Sequence, residues 1–198
     1  MKITVVAPAY YPDLAAVNYL ADSAGIVGIP VHWYGLRQSY EGWWRVQVTD
    51  LIPVLQSLQT SHVLYTDARD AFFCKGLRTI EARYRSLGSP SLLISVEGDG
   101  VNAGGWMGER EAAIEALEKI KSMGAENPQT RWRQALAAGW VNAEVDEGSR
   151  IFRVVNGDFD PKQGWPCILH FAGGYCDPHT GKRYVMEPIW QQFLRATL

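Results

Sequence analysis

Three absences narrow the classes to which this sequence can belong: it has few cysteines, no long apolar run and almost no net charge. Only three of 198 residues are cysteine and no Cys-x-x-Cys pair occurs, which disfavours a disulfide scaffold and a zinc site. No apolar run approaches the ~20 residues of a membrane span, and the N-terminal segment is too short for a signal peptide. A net charge of −2 predicts no strong attraction to nucleic acid or membranes. We therefore expect a cytoplasmic protein that does not bind membranes.

The composition that remains is that of one well-packed globular domain. Hydrophobic residues make up 47% and charged residues 20%, both ordinary values. The length suffices for one domain with a large core and is short for two, so we expect a single domain over residues 1–198. Eight Trp and nine Tyr are a heavy aromatic load, and such side chains offer stacking surfaces to sugars and bases.

Strand and helix patterns alternate over the first two-thirds of the chain, which predicts an α/β fold. The predicted strands are Lys2–Ala7, Pro30–Tyr34, Val63–Thr66 and Ser91–Val96. The predicted helices are one capped by Asp13, one capped by Thr49 or Asp50, Glu109–Met123 and Pro128–Ala138. The remainder is β-like over Val141–Val145, Arg150–Val155 and Cys167–Phe171, with a covering helix at Pro188–Leu194. This order predicts a Rossmann-like domain with a mostly parallel sheet, flanking helices and a β-rich C-terminal part.

The most informative motif is a pair of aspartates, Asp67 and Asp70, at the end of the run His62–Thr66. Carboxylates at the C-terminal end of a strand lie where open α/β sheets bind ligands. Two of them repel each other unless a positive charge lies between them, and hard divalent cations prefer carboxylate oxygens. The alternative is that Asp67 ends a strand and Asp70 caps a turn, with both side chains solvated.

A second segment, Glu97–Gly108, holds five glycines in twelve residues just before a strong helix pattern. Such glycines let the backbone approach a ligand closely, although a tight turn between strand and helix explains them equally well. The segment contains neither the G-x-x-x-x-G-K-[ST] pattern of a P-loop nor a strict G-x-G-x-x-G.

A third segment, Cys167–Gly174, has His170 at the end of an apolar run, with glycines after it. The alternative for a single histidine is a core position with a satisfied ring. A neutral imidazole can also complete a metal site begun by two carboxylates, and this mixed nitrogen and oxygen set suits Mn²⁺ better than Ca²⁺.

These segments match four family motifs in order: D-x-x-D, L-N-S-G-G-x-x-G, L-D-x-x-x-x-I-F and H-x-N-G. The matching positions are Asp67–Asp70, Val101–Gly108, Val145–Phe152 and His170–Gly173. On these residues the chain resembles the glycosyltransferase domains of the procollagen lysyl hydroxylase and collagen galactosyltransferase type, which have a GT-A fold. The resemblance spans roughly residues 1–175.

The resemblance implies a UDP-sugar donor and Mn²⁺ (or Mg²⁺) held by Asp67, Asp70 and His170. Donor contacts are then expected at Ala7, Pro8, Ala9, Tyr10, Tyr34, Gly35, Arg45, Asp67 and Gly173. Tyr10 or Tyr34 would stack on the base. Arg45 would touch the phosphates, unless it is a solvated charge at the start of a helix.

On the acceptor side, the candidate catalytic carboxylates are Glu97, Asp99 and Glu126. An inverting enzyme needs one of them as general base, whereas a retaining enzyme needs none in that role. The other residues expected on the acceptor side are Asn102, Gly104, Gly105, Trp106, Asn127 and Trp165. The two tryptophans are either stacking platforms or core residues.

The chain departs from the family motifs at three places. The acidic pair of a D-D-Q motif stands here as Glu126-Asn127-Pro128-Gln129, so only one of the two keeps a charge. The serine of N-S-G-G is Ala103, and the asparagine of H-x-N-G is Ala172. Each of these two alanines removes a hydrogen-bonding group, which leaves the identity of the donor sugar open.

The sequence therefore favours a metal-dependent glycosyltransferase that moves a hexose from a UDP-sugar to a hydroxyl of an unknown acceptor. The acceptor is a protein, a glycan or a hydroxylated nucleobase, and nucleic acid enters only as such a modified base. Two alternatives remain at this point: a nucleotidyltransferase, and a non-catalytic module that binds nucleotides or sugars. The loop after the first strand, Pro8–Pro12, lacks the glycines and basic residues usual in nucleotidyltransferases.

Overall fold

The computed structural model describes residues 1–10, 17–98, 100–155, 159–172 and 186–198. The strands are β1 (Ile3–Pro8), β2 (Val31–Tyr34), β3 (His62–Thr66), β4 (Ala71–Phe73), β5 (Leu92–Glu97), β6 (Gly100–Glu109), β7 (Glu144–Val145), β8 (Phe152–Val154) and β9 (Ile168–His170). The helices are α1 (Asn18–Val27), α2 (Leu51–Ser57), α3 (Leu77–Ser86), α4 (Arg110–Ser122), α5 (Pro128–Ala137) and α6 (Met186–Thr197). None of the helices in these ranges is long and apolar enough to cross a membrane.

A six-stranded sheet in the order β2-β1-β3-β6-β5-β7 forms the centre of the fold. Strands β2, β1 and β3 pair in parallel, as do β5 and β7, and β6 runs antiparallel to its neighbours β3 and β5. Between two parallel neighbours the chain must cross back over the sheet, and helices make these connections between the first strands. The predicted fold, a mostly parallel sheet flanked by helices, is confirmed.

Helices cover both faces of this sheet, because successive side chains of each strand point to opposite sides. On one face, Val6 of β1 packs in a cluster with Leu55 of α2 and Leu117 of α4. On the other face, Val5 packs in a second cluster with Leu20 of α1. The inner strands β1 and β3 are therefore buried on both faces, which explains their continuous apolar runs in the sequence.

Most of the glycine-rich segment forms strand β6 rather than a tight turn, which was one of its two interpretations. Strand β6 pairs along β3 on one side and β5 on the other, so its backbone is held by two neighbours. Two of its glycines permit this close packing. A Cβ at Gly108 would lie 2.3 Å from the carbonyl oxygen of Ser91, and one at Gly105 would lie 2.9 Å from the Phe152 ring.

A second sheet of three strands, in the order β4-β9-β8, lies beyond the end of β3. Its first strand, β4, begins directly after the D-x-x-D motif and was not expected from the sequence, nor was α3. In the antiparallel pair of β4 and β9, Ala71 is opposite His170. The Phe171 amide donates a hydrogen bond of 2.7 Å to the carbonyl oxygen of Asp70. This pairing brings the histidine to the aspartates.

Helix α6 covers the second sheet through an aromatic cluster. Phe72 of β4 contacts Trp190 and Phe193 of α6, with ring centroids 5.3 Å and 5.5 Å apart. The predicted covering helix at Pro188–Leu194 is confirmed and extends further at both ends.

Two helix caps differ from the prediction. Helix α1 begins at Asn18, and the predicted cap Asp13 lies outside the described residues. Asp50 does occupy the N-cap position of α2, but its side chain makes no capping hydrogen bond. It accepts hydrogen bonds from Tyr10 and Arg45 instead, since a π-helical turn, Arg45–Thr49, already leads into α2.

Replacing Gly108 by alanine is expected to destabilise the protein by about 2 kcal/mol or more, because the added Cβ meets backbone that cannot move aside. Chemical denaturation measures this loss. Gly25→Ala is the matched control: it lies in α1 with open space around it, so alanine should stabilise by about 0.5–1 kcal/mol. Equal unfolding free energies for the two variants would contradict the packing role of Gly108.

Candidate active site

Asp67, Asp70 and His170 converge where the two sheets meet. The His170 Nε2 atom lies 3.7 Å from Asp67 Oδ2 and 3.4 Å from Asp70 Oδ1. One ligand atom from each of the three residues lies within 4.8 Å of the others. Asp67 follows β3, Asp70 precedes β4 and His170 ends β9, so the position of each is fixed by a strand.

The three side chains fit a divalent cation by chemistry and by space. Ligands held at ~2.1 Å from Mg²⁺ in octahedral geometry lie about 3 Å apart. The distances of 3.4 Å and 3.7 Å from His170 to the two carboxylates therefore need to shrink only slightly. Two carboxylates and an imidazole suit Mn²⁺ or Mg²⁺. Gly104 clears the space, because a Cβ there would lie 2.4 Å from both Asp67 Oδ2 and His170 Cε1.

Asp67 is oriented by two neutral donors. The Gln47 amide donates to Asp67 Oδ1 at 2.9 Å and reaches Oδ2 at 3.2 Å, and the Tyr65 hydroxyl donates to Oδ1 at 2.8 Å. The Tyr65 ring stacks on Trp106 with centroids 5.2 Å apart, which fixes the hydroxyl. Because both donors hold Oδ1, Asp67 presents Oδ2 toward His170.

Gln47 reaches Asp67 from the π-helical turn that precedes α2. A π turn inserts one residue into a helical run and changes the direction of the side chains after it, which is why such turns are frequent at functional sites. The exposed fraction of Gln47 is 7%, so its amide is committed to the carboxylate rather than to solvent.

The electrostatics of the three residues favour a positive charge between them. Burial raises the pKa of Asp67, while His170 lowers it and Asp70 raises it. Burial alone would lower the pKa of His170, but the negative charges of Asp70 and Asp67 outweigh it and the pKa is raised. The group therefore retains a proton readily, and a cation would take the place of that proton.

A cavity of about 430 Å³ opens beside these three residues, within the range of small-molecule sites. Apart from the triad, its described lining includes Trp43, Gln47, Arg69, Glu97, Asn102, Ala103, Gly104, Asn127, Gln129 and Ala172. Both alanines that depart from the family motifs thus lie at the cavity. The described lining includes four amide side chains and three carboxylates.

Glu97 is anchored in this cavity by two amides. Its Oε2 atom accepts hydrogen bonds of 3.0 Å from Asn102 Nδ2 and 3.0 Å from Gln129 Nε2. Asn127 Oδ1 accepts from the Gln129 backbone amide at 2.9 Å and so caps α5, which places the start of that helix at the cavity. The Glu97 carboxylate is held in place at the cavity, where it can meet a hydroxyl group.

The two tyrosines expected to stack on a base are buried. Tyr10 and Tyr34 pack edge to face with centroids 5.8 Å apart, and their hydroxyls donate to Asp50 and to the Val46 carbonyl. Gly35 makes room for this packing, since a Cβ there would lie 2.4 Å from the Tyr10 ring. Tyr34 is thus engaged inside the protein, and stacking of Tyr10 or Tyr34 on a base stays a prediction.

The exposed aromatic side chains at the site are Tyr40 and Trp43, which contact each other with centroids 5.5 Å apart. They line a narrow groove beside the cavity together with Pro8, Tyr10, Val46, Ala68 and Arg69. Of the predicted donor residues, Pro8 and Tyr10 thus border this groove, whereas Ala7 and Ala9 are fully buried.

Arg45 is not at the cavity. Its guanidinium pairs with Glu41 at 2.5 Å and with Asp50 at 2.9 Å, so its charge is already used on the protein surface. Among the described lining residues, the arginine at the cavity is Arg69, inside the D-x-x-D motif. Its place between the two aspartates is the sequence signal that could have identified it.

The predicted acceptor-side residues divide into two groups. Asn102, Gly104 and Asn127 line the cavity, and their place on the acceptor side stays a prediction. Trp106 does not offer a platform, because only 1% of it is exposed and it stacks on Tyr65. Its strand neighbour Gly105 packs against Phe152 instead of facing the cavity.

Other predicted residues lie elsewhere or outside the described ranges. Trp165 packs against Phe159 and Phe193 in the aromatic cluster and does not line the cavity. Glu126 forms an ion pair of 3.0 Å with Arg131 and also lies off the cavity. Asp99 and Gly173 lie outside the described residues, so their roles stay predictions.

One matched motif has a structural role. Asp146, from the L-D-x-x-x-x-I-F match, is buried and accepts hydrogen bonds from three backbone amides, those of Arg150, Ile151 and Phe152. These bonds, of 2.8–2.9 Å, shape the turn that leads into β8. Gln47 and Trp43, which do line the cavity, lie in none of the matched motifs.

A mostly parallel sheet with a candidate metal site at the ends of its strands is typical of α/β enzymes that bind phosphate-bearing ligands. No protein-family model matches the chain, and no curated protein sequence matches it at a significant level. Solved structures do match it over nearly its whole length.

One such structure is a glycosyltransferase involved in the glycosylation of the major capsid of PBCV-1, with a TM-score of 0.61 and 11% identity; the match covers 96% of this chain and 98% of that one. Another is the glycosyltransferase GlyE of Streptococcus pneumoniae TIGR4, with a TM-score of 0.63 and 13% identity, covering 96% of this chain. The match spans 59% of the GlyE chain. The chain therefore shares the fold of glycosyltransferases. The comparisons do not confirm the narrower resemblance to collagen-modifying enzymes.

Replacing Gln47 by leucine is expected to weaken Mn²⁺ binding by about 10-fold or more, because Asp67 loses the donor that orients it. Titration calorimetry with Mn²⁺ measures the change. Gln59→Leu, at an exposed position, is the matched control and should bind Mn²⁺ as the wild type does. Equal affinities for the two variants would contradict the orienting role of Gln47.

Mn²⁺ affinity is also expected to fall as the pH decreases through the raised pKa of His170. Below that pKa the imidazole is protonated and has no free lone pair, whereas above it the ring is neutral and can bind the cation. Calorimetry from about pH 8 to about pH 5 should show weaker binding at the acid end. The dependence should flatten in His170→Asn and persist in His32→Asn, and a flat wild-type profile would overturn the expectation.

Proposed function

We propose that the protein transfers a hexose from a UDP-sugar to a hydroxyl of its acceptor, with Mn²⁺ or Mg²⁺ held by Asp67, Asp70 and His170. The observation that carries this proposal is the convergence of these three side chains at the sheet edge. The shared fold with glycosyltransferases supports it. A bound cation would supply positive charge to the diphosphate as it leaves the sugar, without proton transfer.

The residues opposite the triad supply the acceptor side in this proposal. Glu97 is the candidate general base, since it is the third carboxylate at the cavity and two amides hold it in place. Asn102, Asn127 and Gln129 offer amide groups to sugar hydroxyls. Glu126 is disfavoured as a catalytic group, because it is paired with an arginine away from the cavity.

The first test is thermal unfolding with UDP, with and without Mn²⁺. A ligand that binds only the folded state raises the melting temperature by mass action, so UDP should stabilise the protein when Mn²⁺ is present and do little when it is absent. A panel of UDP-sugars, with released UDP as the readout, then identifies the donor. Stabilisation by UDP that is indifferent to the metal would count against the proposal.

Replacing Asp70 by alanine should abolish Mn²⁺-linked UDP binding while leaving the fold intact, because the triad loses one of its two charges. Calorimetry with UDP and Mn²⁺ measures the loss, and circular dichroism confirms the fold. Asp22→Ala, at an exposed position of α1, is the matched control and should bind as the wild type does. Unchanged UDP affinity in Asp70→Ala would rule out a metal role for this residue.

A further inference from the structure

Arg69 occupies an unusual position at the candidate active site. It lies between the two aspartates of the D-x-x-D motif, and its side chain is exposed. Within the described ranges it is the only arginine or lysine that lines the cavity. It also lines the narrow aromatic groove, a position it shares with Trp43, so it stands at the junction of the two spaces.

Within the described residues, the charge of Arg69 is not paired. No hydrogen bond or ion pair joins its guanidinium to another residue of these ranges. Arg45, by contrast, is paired with Glu41 and Asp50. An exposed arginine is free to move, and the guanidinium plane matches the oxygens of a phosphate in a bidentate manner.

The negative charges at the cavity favour an additional cationic side chain there. Among the described residues, three carboxylates line the cavity, those of Asp67, Asp70 and Glu97. A divalent cation neutralises only part of this charge, and a nucleoside-diphosphate sugar adds about one negative charge for each phosphate. The loaded site would therefore remain strongly negative without another cationic side chain.

We propose that Arg69 binds the diphosphate of the donor beside the cation and stabilises it as the leaving group; this inference rests on the proposed function. In the transfer step the bond from sugar C1 to the β-phosphate oxygen breaks, and its electron pair stays on that oxygen. C1 bonds to the acceptor oxygen, whose proton passes to Glu97 or to water. Arg69 faces the charge that develops on the departing phosphate, where a preoriented donor is most effective.

The test compares UDP and UMP binding by calorimetry in the presence of Mn²⁺, for the wild type, Arg69→Ala and Arg69→Lys. In Arg69→Ala, UDP affinity should fall about 10-fold or more and UMP affinity much less, because the second phosphate supplies most of the contact. Arg69→Lys should recover part of the loss, since lysine keeps the positive charge but cannot bind a phosphate through two parallel hydrogen bonds. Arg195→Ala, an exposed arginine of α6, should behave as the wild type does.

Titration of Arg69→Ala with Mn²⁺ alone is the control for an intact site. Its Mn²⁺ affinity should equal or exceed that of the wild type, because removing a positive charge beside two carboxylates cannot weaken their attraction for a cation. A collapse of Mn²⁺ binding would show a structural role and overturn the proposal.

Two further outcomes separate this inference from the function on which it rests. If the wild type binds UDP with Mn²⁺ and Arg69→Ala does so within about twofold, or loses UDP and UMP equally, the diphosphate role is wrong and the proposed function stands. If the wild type shows no Mn²⁺-linked binding of UDP, both fail together.

Discussion

The repulsion between two carboxylates at one sheet edge is the constraint around which this site is built. Asp67 and Asp70 lie largely out of water, where their negative charges interact more strongly than on the surface. The His170 imidazole lies within 3.7 Å of each carboxylate, and two neutral groups donate hydrogen bonds to Asp67. This arrangement keeps the charges in place and leaves one side open to a cation.

The second sheet places His170 beside the two aspartates. A strand of only three residues, β4, starts at the motif and pairs with β9, and this pairing sets the histidine opposite Ala71. Strands this short gain little stability alone, and the aromatic packing of Phe72 against α6 supplies the rest. The position of His170 thus depends on a hydrophobic cluster on the far side of the small sheet. The pairing of β4 with β9 links that cluster to the candidate metal site.

The parallel strands and the three candidate metal ligands could be predicted from the sequence, because each is marked by a short run of neighbouring residues. The parallel strands show as continuous apolar runs, and the aspartates and His170 stand at the ends of two such runs. Strand β6 could not be predicted, since its glycines have low strand propensity and only its two neighbours hold it extended. The burial of Tyr34 and the pairing of Arg45 depend on partners distant in space, which a motif does not encode.

Gly104 keeps open the space between two side chains of the candidate metal site. The space that it leaves open is bounded by Asp67 Oδ2 and His170 Cε1, two atoms of the triad itself. A single methyl group there would occupy the volume between the carboxylate and the imidazole. A glycine codon becomes an alanine codon by one base change, so one point mutation is enough to fill the space beside these two side chains.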